Sequence, residues 1–199
     1  MCLLIEKGGL ILARADYLLK SALARLRGVQ PAPQRETDSG AEWAFVEAVM
    51  AAHHFTDGSQ SWLRSNVNLK VDDLTSTSGG GYWAPANREV RLFTVQHEAA
   101  VHELAHAWWH DRRRGREDEM IEATVRLSAE KDARFADAAR LAFGYVHGIP
   151  QQNWPGMLVD RNDWEMFAGL ASGTMGDMRK LPPYVRRLYD GLFVMPPRE

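Results

Sequence analysis

The sequence predicts an α+β domain in which a small sheet precedes a mainly helical C-terminal half. Short β-like runs at residues 79–83 and 89–93 flank a turn that contains Pro85 and Asn87, a pattern typical of a hairpin. Beyond residue 94, apolar residues recur at helical spacing in one segment after another. Strands followed by a run of helices are the pattern of an α+β fold.

Composition excludes several classes of protein. The chain of 199 residues is 45% hydrophobic and 25% charged, which is ordinary for a globular domain with a sizeable core. Its 24 basic residues nearly balance its 26 acidic ones, so we expect no general attraction to nucleic acid or to an anionic membrane. The single cysteine, Cys2, cannot form an internal disulfide. We therefore expect a cytoplasmic protein, although export by a non-standard route stays open.

The N-terminal 40 residues divide into two predicted segments. Residues 1–28 have the spacing of an amphipathic helix, with apolar positions at Ile11, Ala15, Leu18, Ala22 and Leu26. Charged residues interrupt the apolar stretch, so we expect neither a signal peptide nor a membrane span. Residues 29–40 contain two prolines and no apolar period, which indicates a linker to a domain over residues 41–199. The helix is expected to dock on that domain or on a partner.

The predicted elements of the domain follow in order. A capping-box pattern at residues 39–42 begins a helix that reaches about His54, and residues 62–71 are expected to be mostly extended. After the hairpin, Thr94 is a plausible N-cap for a long helix that ends near Arg114, just before a glycine. The later helices are predicted at residues 117–130, 133–145 and 163–172, with a final helix that starts at Pro182.

The long helix contains the pattern H-E-x-x-H, formed by His102, Glu103 and His106. Residues four apart on an α-helix differ by about 40° in direction and about 6 Å in height, so both imidazoles can reach one metal ion. Zinc is the ion that this pattern usually binds, and it acidifies a water molecule at neutral pH. Glu103 lies about 100° around the helix from His102, which suits a general base rather than a ligand. The alternative is a pair of histidines on an ordinary helix face.

Two further histidines on the same helix are not expected to bind the ion. His97 lies five residues before His102 and so about 140° from it around the axis. His110 lies four residues after His106, but three histidines spread over about 12 Å of straight helix cannot all reach one ion. We expect His110 to be a supporting or helix-end residue.

A catalytic zinc ion needs a third protein ligand, and Glu122, Glu130 and Glu165 are the candidates. If the chain returns antiparallel after residue 115, Glu122 and Glu130 miss the level of the ion by roughly half a turn to more than a turn. Glu165 is followed by small residues at Ala168, Gly169 and Ser172, which would let its helix approach closely. Glu165 is favoured, and Glu122 remains the main alternative. A carboxylate in a first helical turn also has an ordinary explanation in the helix dipole.

The stretches HELAH (residues 102–106) and EMFAGLAS (residues 165–172) resemble the gluzincin clan of zinc metallopeptidases, and most closely the anthrax-lethal-factor-like group. In that group a Glu-x-Phe-Ala motif on a later helix supplies the third ligand. The resemblance covers residues 79–193 and implies a zincin-like fold. It also implies one zinc ion per chain bound by His102, His106 and Glu165, with Glu103 as the base.

The chain departs from that group at one position. The group has a tyrosine seven residues before its glutamate, whereas this chain has Leu158. A donor to the developing oxyanion must therefore come from elsewhere, and Tyr184 and Tyr82 are candidates, with His147 a weaker one. The strand at residues 89–93 is expected to pair an extended substrate along its edge.

The predicted function is hydrolysis of peptide bonds in a peptide or protein substrate, with a zinc cofactor and Glu103 as general base. The alternative is a zinc-containing regulatory or protein-interaction module without peptidase activity. A closed structural zinc site has four protein ligands, whereas a catalytic site leaves one position open. The coordination of the metal therefore separates the two hypotheses.

Overall fold

A computed structural model gives the positions of residues 39–75, 77, 80–148 and 162–197, which belong to one compact unit that begins at Thr37. The predicted N-terminal helix at residues 1–28 and nearly all of the predicted linker lie outside these residues. The described part is an α+β domain, as predicted, with a small mixed sheet followed by a mainly helical half.

Seven α-helices occur in the described residues, and their order follows the prediction with one addition. The helices are α1 (Ser39–Ala52), α2 (Asp57–Asn66), α3 (His97–Arg112), α4 (Glu117–Ser128), α5 (Ala136–His147), α6 (Asp163–Thr174) and α7 (Pro183–Arg186). Short 3-10 turns occupy Ala133–Phe135, Met178–Lys180 and Arg187–Tyr189. Within the described ranges no helix has both the length and the apolarity that a bilayer span requires.

The sheet has three strands, β1 (Asn68–Val71), β2 (Gly81–Ala84) and β3 (Glu89–Leu92), in the order β1-β3-β2. β2 and β3 are antiparallel, which confirms the predicted hairpin, and β1 runs parallel to β3. β3 is therefore the central strand, with both edges hydrogen-bonded. The expectation that a substrate pairs with residues 89–93 is wrong, because β1 already occupies the edge that the prediction left free.

The additional helix, α2, lies in a segment whose second half was predicted to be extended. The Thr56 hydroxyl caps it by accepting a hydrogen bond from the Ser59 backbone N–H at 3.0 Å. Ser59 is buried and donates from its own hydroxyl to the Leu192 carbonyl at 2.7 Å. The first turn is polar and has no apolar period, so its helical state depends on this cap and on a distant chain segment. The prediction holds only from Asn68, where β1 begins.

The start of α3 is also set by a polar contact. Thr94 was predicted to be the N-cap, but α3 begins at His97, and Gln96 occupies the cap position without a side-chain bond. The Thr94 hydroxyl instead accepts a hydrogen bond from the Gln96 backbone N–H at 3.2 Å. Thr94 therefore stabilises the turn that leads into the helix.

α3 is the central element of the domain. Its residues from Ala99 to Trp109 are all buried, and it packs against the sheet and against α6. A helix that is covered on all sides usually has apolar residues on all sides. α3 instead places His102, Glu103 and His106 in the interior. Buried polar and charged groups are stable only when they are paired or bound to a metal, so these three side chains require partners.

Candidate metal centre

The two histidines of the H-E-x-x-H pattern project from consecutive turns of α3. Their Nε2 atoms lie 3.0 Å apart, and only 2% of His102 and 7% of His106 is exposed. Helical spacing of four residues produces this convergence directly. The predicted geometry of the pair is therefore present in the structure.

Glu165 reaches the same point from α6. The Asn162 side chain caps that helix by accepting a hydrogen bond from the Glu165 backbone N–H at 2.8 Å. Glu165 Oε2 lies 3.4 Å from His102 Nε2, and Glu165 Oε1 lies 3.4 Å from His106 Nε2. One carboxylate thus contacts both imidazoles.

These three side chains form a possible metal site, since their ligand atoms all lie within 4.8 Å of one another. A tetrahedral zinc ion at about 2.0–2.1 Å from its ligands separates neighbouring donor atoms by about 3.3–3.4 Å. The observed separations of 3.0, 3.4 and 3.4 Å are close to that value. Two imidazoles and one carboxylate are also a common set of protein ligands for catalytic zinc. The donor set and its spacing therefore fit zinc.

Glu165 owes its position to a stack of three aromatic rings, which we call the aromatic column: Trp109, Phe167 and Tyr189. Trp109 and Phe167 stack at 4.4 Å, and Phe167 and Tyr189 at 4.3 Å. Trp109 Nε1 donates to Asp163 Oδ2 at 2.6 Å, and the Tyr189 hydroxyl donates to the Phe167 carbonyl at 2.8 Å. The column joins α3, α6 and the C-terminal segment, and so holds the first turn of α6 against the histidines.

Ser172 supports His102 from the side opposite Glu165. Its Oγ lies 3.5 Å from His102 Nδ1 and 3.2 Å from the Gly169 carbonyl oxygen. A carbonyl only accepts, so the hydroxyl proton points to Gly169 and the oxygen can accept from Nδ1–H. Such a contact favours the tautomer in which Nε2 is unprotonated and free to bind a metal.

The ionisation of the centre is strongly perturbed. Burial would lower the pKa of His102, but the hydrogen bond to Glu165 and the charges of Glu103 and Glu165 raise it above the ordinary value. Burial would raise the pKa of Glu165, yet its hydrogen bonds to His102 and His106 hold that pKa far below the ordinary range. Glu165 is therefore an ionised carboxylate, the form in which it can bind a metal.

Glu103 lies beside the three ligands and contacts the sheet. Its carboxylate accepts a hydrogen bond from the Trp83 backbone N–H on β2, while burial raises its pKa. Gly81 makes room for it, because a Cβ at that position would lie 2.9 Å from Glu103 Cγ. Strand β2 thus fixes the direction of the Glu103 side chain.

The other predicted site residues lie elsewhere or have other partners. Glu122 is exposed on α4 and is not part of the cluster, and Glu130 accepts hydrogen bonds from the backbone of Lys131 and Asp132. The Tyr184 hydroxyl lies 3.4 Å from Glu130 Oε2, and the Tyr82 hydroxyl lies 3.4 Å from Glu89 Oε1.

The three other histidines that the sequence analysis considered contact groups outside the cluster. His147 packs on Phe143, with ring centroids 4.1 Å apart. His97 Nδ1 lies 2.8 Å from His53 Nε2, and His110 lies in the last turn of α3, between Trp83 and Trp164. Neither His97 nor His110 belongs to the group of possible metal ligands in the described residues, which agrees with the prediction.

One polar residue near the centre was missed by the sequence reasoning. Tyr145 on α5 is only 4% exposed, and its hydroxyl lies against Gly169, where a Cβ would be 1.7 Å from the oxygen. A glycine inside an apolar helix is a weak signal of such close approach. Nothing in the spacing of the sequence identifies the residue that approaches.

No protein-family model, curated protein or solved structure matches the chain. The interpretation of the centre therefore depends on its own residues and geometry.

Proposed function

We propose that this protein is a zinc-dependent peptidase of the zincin type. The observation that carries the proposal is the convergence of two imidazoles and one carboxylate at near-tetrahedral spacing, with the H-E-x-x-H glutamate beside them. His102, His106 and Glu165 would hold one zinc ion per chain. When bound, the ion would act as a Lewis acid on a peptide carbonyl and make a water molecule acidic enough to attack near neutral pH.

Within this proposal, Glu103 is the general base. Its carboxylate accepts a proton from the attacking water while the water oxygen bonds to the carbonyl carbon. The carbon–nitrogen bond then breaks, and the proton passes from Glu103 to the departing amine nitrogen. The hydrogen bond from the Trp83 backbone N–H supports this role, because it orients the buried carboxylate.

Strand β2 is the element that we propose aligns the substrate. One of its edges pairs with β3, and no described strand pairs with its other edge. The Trp83 N–H on that other edge points to Glu103, so the edge faces the centre. An extended peptide can add to such an edge through main-chain hydrogen bonds.

Three rather than four ligands support catalysis over a purely structural role for the ion. In the described residues, the cluster of possible ligands contains no fourth histidine, cysteine, aspartate or glutamate. A structural zinc site is usually closed by four protein ligands, whereas a catalytic site keeps one position for water or substrate. The interaction-module hypothesis therefore requires a ligand from outside this group.

A peptide-library digest tests the proposal. Zinc-loaded protein should cleave members of a broad library, with products identified by mass spectrometry. Glu103→Gln should keep its zinc content and lose at least about a hundredfold in turnover, because glutamine cannot accept the proton. Glu47→Gln is the matched control, since Glu47 is an exposed residue on α1 that pairs with Arg64 on α2 and does not belong to the group of possible ligands.

Two results would overturn the proposal. If the zinc-loaded protein cleaves no member of the library, the interaction-module hypothesis is favoured instead. If Glu103→Gln cleaves as fast as the unchanged protein, Glu103 is not the base.

A further inference from the structure

Two buried nitrogen atoms lie side by side without hydrogen-bond partners. In the part of the chain that the structure describes, they are Trp83 Nε1 and His110 Nδ1, and the centroids of their rings are 6.0 Å apart. Buried polar groups in folded proteins nearly always have a partner, so two exceptions in one contact call for an explanation. An indole N–H can only donate, so the partner that Trp83 lacks is an acceptor.

Two further side chains complete this group, which we call the indole cluster: Trp83, His110, Trp164 and Arg113. The rings of His110 and Trp164 lie 6.1 Å apart, and the guanidinium carbon of Arg113 lies 4.4 Å from the centre of the Trp164 ring. His110 is half-buried between the two indoles, whereas Trp164 is 36% exposed. The indole cluster therefore joins β2, the end of α3 and the start of α6 at a place that solvent reaches.

The indole cluster adjoins the candidate centre. The backbone N–H of Trp83 donates to the Glu103 carboxylate. His110 follows His106 by one turn of α3, which places it about 6 Å further along the helix. An extended peptide advances by about 3.3 Å per residue. A peptide bound along β2 would therefore pass the indole cluster about one or two residues away from the point where the imidazoles converge.

The charge of the indole cluster resides on Arg113. Asp111 is the nearby acid, and it pairs with Arg88 at 3.0 Å. Arg113 forms no ion pair with any residue in the described ranges. Burial lowers the pKa of His110, and the charges of Arg113 and Arg88 lower it further against the opposite effect of Asp111. His110 is therefore neutral near pH 7, and the guanidinium supplies a positive charge that lacks an anionic partner.

Three members of the indole cluster are available as donors to a single group. Trp83 Nε1 always donates, His110 Nδ1 donates in one of its two neutral tautomers, and the guanidinium of Arg113 donates without accepting. An ordered water molecule could join the two nitrogens but would leave the charge of Arg113 unpaired. A carboxylate satisfies all three groups, because it accepts several hydrogen bonds and its charge strengthens them.

We propose that the indole cluster is a subsite for a carboxylate of the substrate, carried either by an aspartate or glutamate side chain or by the C-terminus of the peptide. This inference rests on the proposed peptidase function and adds a substrate class to it. The carboxylate accepts hydrogen bonds from Trp83 Nε1 and His110 Nδ1 and pairs with Arg113. Both nitrogens are covered in the unbound protein, so binding requires a side chain to turn aside, and Trp164 is the most exposed member.

A titration with three small probes tests the subsite without any cleavage. The probes are N-acetylglutamate α-amide with a side-chain carboxylate, N-acetylglutamine with a C-terminal carboxylate, and N-acetylglutamine α-amide with neither. They are added to zinc-loaded, nitrogen-15-labelled protein, and the indole N–H resonance of Trp83 is followed. At least one acidic probe should shift that resonance and bind about 10–100-fold more tightly than the neutral probe, as expected for hydrogen bonds to a charged group. The acidic probe that binds more tightly identifies the source of the carboxylate.

Variants of the indole cluster should reduce this preference. Arg113→Gln removes the charge and should lower the preference for the acidic probe by at least about tenfold. Arg112→Gln is the matched control, because Arg112 also ends α3 but stacks on Trp108, at 4.4 Å, and should keep the preference. Trp83→Phe removes one donor and should also lower the preference, whereas Trp43→Phe makes the same change on α1 and should keep it.

Two results would overturn the subsite. Equal affinities for the three probes would show that the two nitrogens are bridged by ordered water only. A preference that is unchanged in Arg113→Gln would show that the acidic probes bind elsewhere, for example at the zinc ion.

Cleavage of matched peptides separates this inference from the peptidase proposal. Peptides that differ only in glutamate or glutamine near the scissile bond, or in a free or amidated C-terminus, should differ in kcat/KM by at least about tenfold for one such pair. If no peptide is cleaved while the probes still differ in affinity, the peptidase proposal fails and the carboxylate subsite is retained. If every pair is cleaved equally and the probes bind equally, the subsite is wrong and the peptidase proposal is retained.

Discussion

Helices α3 and α6 both supply ligands to the candidate centre, but they do so in different ways. α3 contributes two histidines from consecutive turns, so the geometry of the helix brings their Nε2 atoms to 3.0 Å. α6 contributes one carboxylate, Glu165, which follows His106 by 59 residues (165 − 106). The position of Glu165 is set by packing between the two helices rather than by spacing along the chain.

The two helices also differ in how they accommodate polar residues. α3 buries two histidines and a glutamate among residues that are covered on every side. α6 places Glu165 and Ser172 against the histidines, and its Gly169 admits the buried Tyr145 side chain. The comparison teaches that two of the three candidate ligands are positioned by spacing along one helix, whereas the third depends on how firmly α6 is held.

The largest expected effect comes from removing the aromatic column that holds α6. Phe167→Ala deletes the ring between Trp109 and Tyr189, and replacing a fully buried phenylalanine by alanine typically lowers the free energy of unfolding by about 3–5 kcal/mol. Chemical denaturation measures the change. Phe143→Ala is the control, because Phe143 is 45% exposed on α5 and should cost far less. Equal losses would mean that the column does not hold α6.

The next largest effect is the loss of zinc affinity when a candidate ligand is replaced. Glu165→Ala and His106→Ala should each weaken zinc binding by more than about a hundredfold, since even outer partners of metal ligands are worth about 10–100-fold. Competition with a chromophoric chelator measures the affinity. Glu122→Ala should keep the affinity of the unchanged protein, because Glu122 is exposed on α4. If Glu122→Ala loses zinc and Glu165→Ala does not, the ligand comes from α4 and the comparison fails.

A smaller effect is expected where α6 supports an α3 ligand. Ser172→Ala removes the oxygen that lies 3.5 Å from His102 Nδ1, and zinc affinity should fall by about 10–100-fold. The nitrogen chemical shifts of His102 in the metal-free protein should show a mixture of tautomers in place of one. Ser128→Ala makes the same chemical change on α4, where the hydroxyl donates to the Val125 carbonyl, and should leave zinc affinity unchanged. An unchanged tautomer in Ser172→Ala would contradict the supporting role.

The smallest expected effect is a change in stability with pH at the N-terminal end of α3, where His97 contacts His53. Burial lowers the pKa of His53 below its usual 6.5, and the charges of His97 and His54 lower it further. Folding therefore favours neutral His53, and this contribution to stability is complete above pH 6.5 and is lost as the pH falls below it. The unfolding free energy should fall by less than about 1 kcal/mol between pH 7 and 5, because the pair is partly exposed to solvent.

Denaturation of His53→Gln at both pH values checks this contribution. The variant should show a weaker dependence on pH than the unchanged protein, since glutamine does not titrate. The same dependence in both proteins would show that His53 makes no such contribution.

Much of the centre could be predicted because its chemistry is local. The four-residue spacing of His102 and His106 implies a shared ligand position on any straight helix. The hairpin could be predicted from the turn residues between β2 and β3. Glu165 was favoured over Glu122 because small residues follow it, and the structure places Ser172 against His102 and Gly169 against Tyr145.

The features that were missed depend on contacts between distant segments. α2 begins at a cap whose Ser59 hydroxyl is satisfied by Leu192, which is 133 residues away in sequence. β3 is central because β1 pairs with it in parallel, and no local pattern distinguishes that register from an edge position. Tyr145 packs against Gly169 of α6 from α5, a helix that contributes no candidate ligand. Periodicity and turn chemistry describe neighbours along the chain, so they do not predict these contacts.

The separation of 59 residues between His106 and Glu165 has a consequence for chain entropy. A metal ion bound by both residues would join two distant points of the polypeptide, in the manner of a reversible cross-link. The entropy lost on closing a loop grows only with the logarithm of its length. A loop of this length therefore loses only a little more entropy on closure than a short one. Because the unfolded chain holds no preformed site, the free energy of metal binding becomes free energy of folding. Metal supply would thereby regulate the lifetime of the folded chain as well as its chemistry.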